Sequence, residues 1–285
     1  MAVNRQAPPA DRAVFWYGCN MLRHGEVIRA SARLLDAVGV ETAPAGGPSH
    51  CCGSPQEANA RIAEGMARRT VEAFNATGRE QVITWCPSCH MNMQDLMAPV
   101  TPVRFDTAHI TEVLHARRDR LRRLLTHRVP ARVLLHRHLG FQPRVPVNDL
   151  VADLLRLIPG LTLVEHPLAV PGHMCSALAG VPGALAAAQR ATLDAMAQAG
   201  ADTLATIFHS CHREAVILER GRSLRVANWV HLLAEAAGWP CEDGYKALRN
   251  AGNPRAVAGE AGLTAAGEAA FERLIEPELR KPPPA

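Results

Sequence analysis

Short apolar runs alternate with amphipathic stretches along most of the chain. AVFWYGC (13–19) has the length and composition of a buried strand and ends in glycine, so it would deliver Cys19 at its carboxyl end. MLRHGEVIRASARLLDAVG then reads as an amphipathic helix stopped by Gly39. A short extended piece leads to the turn-rich SHCCGSP. QEANARIAEGMARRTVEAFNATG is helical again, with Ile62, Met66 and Phe74 on one face. QVITW is the next strand, and it runs into CPSCH, where Pro87 is placed to open another helix. This alternation predicts an α/β fold with small, mainly parallel sheets and loops gathered at the strand carboxyl ends.

The second half repeats the first. ARVLLHRH (131–138) matches AVFWYGC with His138 on Cys19, and GHMCSA (172–177) matches SHCCGS with His173 on His50 and Cys175 on Cys52. TLATIFHSCH (203–212) matches QVITWCPSCH with Cys211 on Cys89, and the three anchors lie 119, 123 and 122 residues apart. Nearly constant offsets at independent anchors indicate two tandem α/β domains from one duplicated unit. The boundaries are 13–128 and 129–245, followed by a tail (246–285) that is partly helical and then disordered, a candidate attachment arm.

The bulk properties narrow the class. With 285 residues, 48% of them hydrophobic, the chain has room for one large core or two modest ones. The start, MAVNRQAPPADR, has no apolar core of a secretory signal, and ALAGVPGALAAA is too short and proline-broken to span a membrane, so a cytoplasmic location is expected. Eight cysteines in a reducing compartment point to metal binding or thiol chemistry rather than disulfides. The net charge of +4 argues only weakly for nucleic acid.

Five of those cysteines form the pattern C-x31-CC-x33-C-x2-C: Cys19, Cys51, Cys52, Cys86 and Cys89. All sit at strand-to-helix loops. Five thiolates exceed the four positions of a zinc ion or an ordinary cubane, and adjacent cysteines make sense if they bind different irons of a larger cluster. Taken alone, Cys86-Pro-Ser-Cys89 could be a structural zinc half-site or a dithiol redox pair.

The spacing and the two-copy layout resemble the cysteine-rich CCG domain proteins, whose best-known member is the B subunit of heterodisulfide reductase. The resemblance spans about 13–245. It implies one noncubane [4Fe-4S] cluster, ligated by Cys19, Cys51, Cys52, Cys86 and Cys89, that binds and reductively cleaves a disulfide or sulfur-carrier substrate. It also implies partners: the ferredoxin-like C subunit of such a complex, together with its flavin-bearing A subunit. This chain departs from two-cluster relatives in its second motif, where His138, Met174 and Phe208 replace cysteines. The nearest relatives by this likeness are single-cluster B-like subunits involved in sulfur oxidation.

In the second half, His138, Cys175 and Cys211 with one of His136, His209 or His212 could hold zinc or a small iron-sulfur centre; the alternative is a decayed repeat. His50 and His90 flank the first motif as candidate proton donors or as structural histidines. Trp16, Tyr17 and Trp85 are expected to pack around the cluster. The five arginines between 117 and 123 read as a solvated helix face or domain connector, with docking of an acidic partner as the alternative. The chain has no GxGxxG, P-loop or ferredoxin-type run, so electrons must come through a partner.

Overall fold

The computed structural model describes residues 10–53, 59–239 and 241–280. Its first half runs β1 (Arg12–Gly18), α1 (Gly25–Ala37), β2 (Glu41–Gly46), α2 (Ala60–Ala76), β3 (Gln81–Thr84), α3 (Pro87–Asn92), β4 (Asp106–His109), α4 (Ile110–Ala116) and α5 (Arg118–Leu124). The second half follows with β5 (Ala131–His136), α6 (Val147–Leu155), β6 (Leu161–Val164), α7 (Ala184–Ala199), β7 (Thr203–Thr206), α8 (His209–Ala215), β8 (Arg225–Asn228) and α9 (Trp229–Ala236). The sheets are ordered β2-β1-β3-β4 and β6-β5-β7-β8, and every pair is parallel. The duplication read from three loop anchors is therefore a duplication of topology.

Both faces of each sheet are covered, so the central strands are buried at nearly every position, including Gln81 and Thr84 of β3 and Thr203 and Thr206 of β7. Along β1 the side chains alternate: Val14 and Trp16 pack with Val71 and Phe74 of α2, while Ala13 and Phe15 face α1 and α4. The second layer continues across the molecule. Phe15, Leu34 and Val113 belong to the same apolar cluster as Leu135, Leu154 and Leu233, so the two sheet units share one core. In α2 the buried row is Ala67, Thr70, Val71 and Phe74, and burial declines toward the helix start. Ile62, which shares a helix face with Phe74 by spacing, is 46% exposed.

The tail is more structured than its composition suggests. It forms α10 (Gly244–Asn250), α11 (Pro254–Ala266), α12 (Glu268–Ala270) and α13 (Glu276–Leu279). Tyr245, Phe271 and Leu279 join Leu204, Val216 and Ile217 in a cluster on the outer face of the second sheet. Apolar burial thus holds Gly244 to Leu279 on the body rather than leaving it as a free arm; 281–285, where disorder was expected, lie outside the described residues. Part of the arginine segment is tied back onto the first unit. Arg117 and Arg120 both donate to the carbonyl of Val38, just past the end of α1, and Arg117 also pairs with Asp11 at 2.9 Å. No helix among the described residues is long and apolar enough to cross a membrane.

Candidate functional site

The strand order explains why residues so distant in sequence meet. β1 lies between β2 and β3, and the loops leaving these three strands carry Cys19, the Cys51–Cys52 pair and Cys86 with Cys89. A parallel sheet puts all three loops at one edge, outside the strand carboxyl ends. Cys51 Sγ and Cys19 Sγ lie 3.7 Å apart, within reach of a shared thiol proton. Further thiol contacts link Cys51 to Cys52, Cys52 to Cys89, and Cys89 to Cys86. The five sulfurs form one unbroken chain, and among them only Cys19 is more than slightly exposed.

Protons are shared unequally along this chain. The hydrogen bond from Cys19 holds the Cys51 thiol well below its usual range, with help from Cys52 and from the backbone N–H groups of Gly53 and Cys52; the same contact pushes Cys19 up. The bond from Cys89 lowers Cys86, assisted by N–H groups of Cys89 and Ser88, while contacts to Cys52 and Cys86 raise Cys89. Asn92 Nδ2 donates to Cys52 Sγ at 3.5 Å. The backbone is drawn in tightly at Gly18, whose φ is +85°: a Cβ there would lie 3.2 Å from both Cys86 Cβ and Cys89 Sγ. Trp16 is buried beside Cys52, Cys86 and Cys89, and its Nε1 donates to the His50 carbonyl at 2.8 Å; Trp85 and Tyr17, expected there too, pack instead in the other apolar layer, where Trp85 Nε1 donates to Ser31 Oγ at 3.1 Å. Against Cys52, among the described residues, opens a cavity of about 430 Å³ walled by Ala60, Ala63, Glu64, Ala67, Leu96 and Val100. An all-sulfur donor set, N–H groups aimed at sulfur and an apolar wall fit an iron-sulfur cluster.

The second sheet builds a different site at the equivalent edge. His136 ends β5, His138 lies two residues on, Cys175 follows β6 and Cys211 is on α8. One ligand atom from each of these four buried residues lies within 4.8 Å of the others. His138 Nε2 is 3.2 Å from Cys211 Sγ and 3.5 Å from Cys175 Sγ, and His136 Nε2 is 3.2 Å from Cys175 Sγ. Tetrahedral zinc with two sulfurs and two nitrogens needs N–S separations of roughly 3.5 Å. His138 Nδ1 is anchored on the Gly172 carbonyl at 3.3 Å, an outer contact of the kind that orients a ligating imidazole. Burial works to raise the Cys211 thiol, but the hydrogen bond from Cys175 and the charge of His138 outweigh it and hold Cys211 well down. Of the histidines proposed from sequence, His136 and His138 join this group. His209 instead packs on Trp85, with ring centres 5.9 Å apart, and His212 turns away to bond Thr206 and Asp243.

Three features were not anticipated. The two loop edges touch each other, through Ser88 Oγ and His173 Nε2 at 3.0 Å and through a two-pronged Arg144–Asp95 pair at 2.9 and 2.7 Å. A threonine at the end of each third strand orients a histidine: Thr84 with His90 Nδ1 at 2.9 Å, and Thr206 with His212 Nδ1 at 3.1 Å. The signal for this pair was present, since T-x5-H occurs in both TWCPSCH and TIFHSCH. His24, Glu26, His231 and Asp243 gather around His212, and no spacing in the sequence announces that cluster.

The fold and the two edges define a duplicated α/β protein with one all-thiol site and one cysteine–histidine site. Residues 13–94, which contain all five cysteines of the first motif, match the family model of the cysteine-rich domain, CCG. The D subunit of the dihydromethanophenazine:CoB–CoM heterodisulfide reductase of Methanosarcina acetivorans is 28% identical over 265 residues, covering 82% of this chain and 61% of that protein. Its namesake from Methanosarcina mazei is 27% identical over 236 residues, covering 73% and 54%. The chain thus spans little more than half the length of these relatives, which are D subunits where the sequence resembled the B subunit. Among solved structures, an Asp/Glu racemase-like protein from Yersinia pestis covers 80% of this chain and is itself covered to 98%, at 11% identity and a TM-score of 0.38, a likeness too low to carry an argument.

Proposed function

We propose that the chain is the sulfur-redox subunit of a heterodisulfide reductase-like complex. One noncubane [4Fe-4S] cluster would be held by Cys19, Cys51, Cys52, Cys86 and Cys89. Zinc or a second small iron-sulfur centre would be held by His136, His138, Cys175 and Cys211. The carrying observation is the unbroken chain of five thiols at the carboxyl ends of three adjacent strands. When bound, such a cluster supplies one-electron transfer and an iron able to take a sulfur ligand.

The chain's own residues do the rest. N–H groups at Gly53, Ser88 and Cys89 stabilise sulfur charge, Trp16 and Phe74 exclude water, and the apolar cavity beside Cys52 admits the carbon skeleton of a substrate. Reducing one disulfide to two thiols consumes two electrons and two protons. The electrons come from a ferredoxin-like partner, the C subunit, which works with a flavin-bearing A subunit; the reading includes a cytoplasmic location. Thr84 donates its hydroxyl to the Ala108 carbonyl and so accepts from His90 Nδ1–H, which makes neutral His90 an acceptor at Nε2. That favours half-buried His50 as the proton donor.

Iron, zinc and acid-labile sulfide are to be counted on chain purified without oxygen. About four irons and four sulfides per chain are expected. Cys51→Ala and Cys52→Ala should each lose them, and lose turnover, while the second half stays folded. Full iron in both variants, or zinc with no iron in the wild-type chain, refutes the assignment.

A further inference from the structure

Behind the two loop edges lies a buried polar cluster that neither site uses. His24 comes from the turn after Cys19, Glu26 from the start of α1, His212 from α8, His231 from α9, and Asp243 caps α10. The four residues other than Asp243 are each no more than 6% exposed. One ligand atom from each of His24, His212 and Asp243 lies within 4.8 Å of the others.

The hydrogen bonds around His212 leave an opening for a cation. Thr206 donates its hydroxyl proton to the Ala227 carbonyl at 3.3 Å, so its oxygen accepts from His212 Nδ1–H. Neutral His212 therefore presents a lone pair at Nε2, and this atom lies 2.6 Å from Asp243 Oδ2, itself an acceptor. Two acceptors so close need a proton or a metal ion between them. The nearby ammonium, Lys246 Nζ, is engaged by Glu219 and the Val226 carbonyl.

Next to this pair, His24 Nδ1, Glu26 Oε1 and His231 Nε2 are buried without a hydrogen-bond partner. Glu26 Oε1 stands 3.8 Å from His24 Nδ1 and 3.6 Å from His231 Nε2, beyond hydrogen-bonding reach. Orphaned buried polar atoms are rare enough to require an explanation. Ligand atoms around zinc or ferrous ion stand roughly 3 to 3.6 Å apart, so small side-chain movements would gather them on one ion.

We infer that His24, His212 and Asp243 form a third metal site, for a divalent first-row transition ion, with Glu26 within reach as a further donor. Two imidazoles and a carboxylate are a donor set for zinc or ferrous ion. The ion would displace the proton shared by His212 and Asp243. It would tie the first half, the second half and the tail together at one point, beside the peptide that carries Cys211. The inference is independent of the proposed redox function.

Zinc is the probe. Full chain purified without oxygen is to be assayed for zinc, iron and sulfide as wild type, Asp243→Asn, His24→Gln and Cys175→Ser, with circular dichroism reporting folding. Folded Asp243→Asn and His24→Gln should each carry about one divalent ion fewer per chain, as zinc or as iron without sulfide, with sulfide unchanged, and Cys175→Ser should keep that ion. Wild-type zinc and wild-type iron together in both folded variants overturn the site. Should the variants not fold, zinc-edge anomalous diffraction from zinc-soaked wild-type crystals needs none: a peak among His24, His212 and Asp243 is expected, and its absence at saturating zinc overturns the inference.

Discussion

Gly18→Ala tests whether the backbone before Cys19 is pressed against the thiol chain. At φ +85° an L-residue is strained by about 1–2 kcal/mol. The added methyl would also stand 3.2 Å from Cys86 Cβ and Cys89 Sγ, inside ordinary contact distance, and overpacking of this kind costs about 1–3 kcal/mol more. Gly78→Ala is the matched control. Its φ is +64°, yet nothing lies within 4 Å of the new Cβ, so it bears the conformational penalty alone. Urea denaturation of the two variants at equal metal content should place Gly18→Ala about 1–3 kcal/mol below Gly78→Ala. Gly18→Ala should also lose iron on purification, because Cys86 and Cys89 yield to the methyl while nothing near Gly78 does. Equal stability and equal iron in the two variants would show that the close approach at Gly18 does not constrain the site.

Two further outcomes follow from other contacts. Burial pushes His109 down to about 3, aided by the charge of His90, so the unfolded chain binds a proton between about pH 6.5 and 3 that the folded chain refuses, and stability is lost as pH falls through that range. His109→Asn, which copies the capping Asn228 of the second repeat, should flatten the slope of unfolding free energy between pH 4 and 6 by up to about 1.4 kcal/mol per pH unit; an unchanged slope would exclude His109 as its source. Arg117→Ala, which removes bonds to the Val38 and Ala10 carbonyls and to Asp11, should cost about 1 kcal/mol, whereas exposed Arg122→Ala and Arg123→Ala should stay within roughly 0.5 kcal/mol of wild type in thermal melts.

Much of this architecture was legible in the order of residues. The apolar runs ending at Gly18 and at Trp85 mark strands because a strand covered on both faces has no polar side to show. Pro87 does open α3, and the anchors of the repeat fall at equivalent loops of two identically ordered sheets. Periodicity and composition left the packing of two segments open. Ile62 has the periodicity of a core residue but sits where α2 has left the core, and the alanine- and glutamate-rich tail docks through Tyr245, Phe271 and Leu279 rather than through any regular stripe.

Residue order alone was enough to tell which loops gather cysteines, that five thiols belong to one motif and that the second copy has His138, Met174 and Phe208 where the first has cysteines. Those properties are local: they depend on strand periodicity, turn residues and spacing within one unit. How the histidines are divided between sites emerged only from the folded arrangement. His136 and His138 face Cys175 and Cys211, while His212, one residue from Cys211, is turned by Thr206 and Asp243 into a separate cluster with His24. The direction of an imidazole is set by the hydroxyls, carbonyls and carboxylates it meets across the fold, and those come from elements far away in the chain.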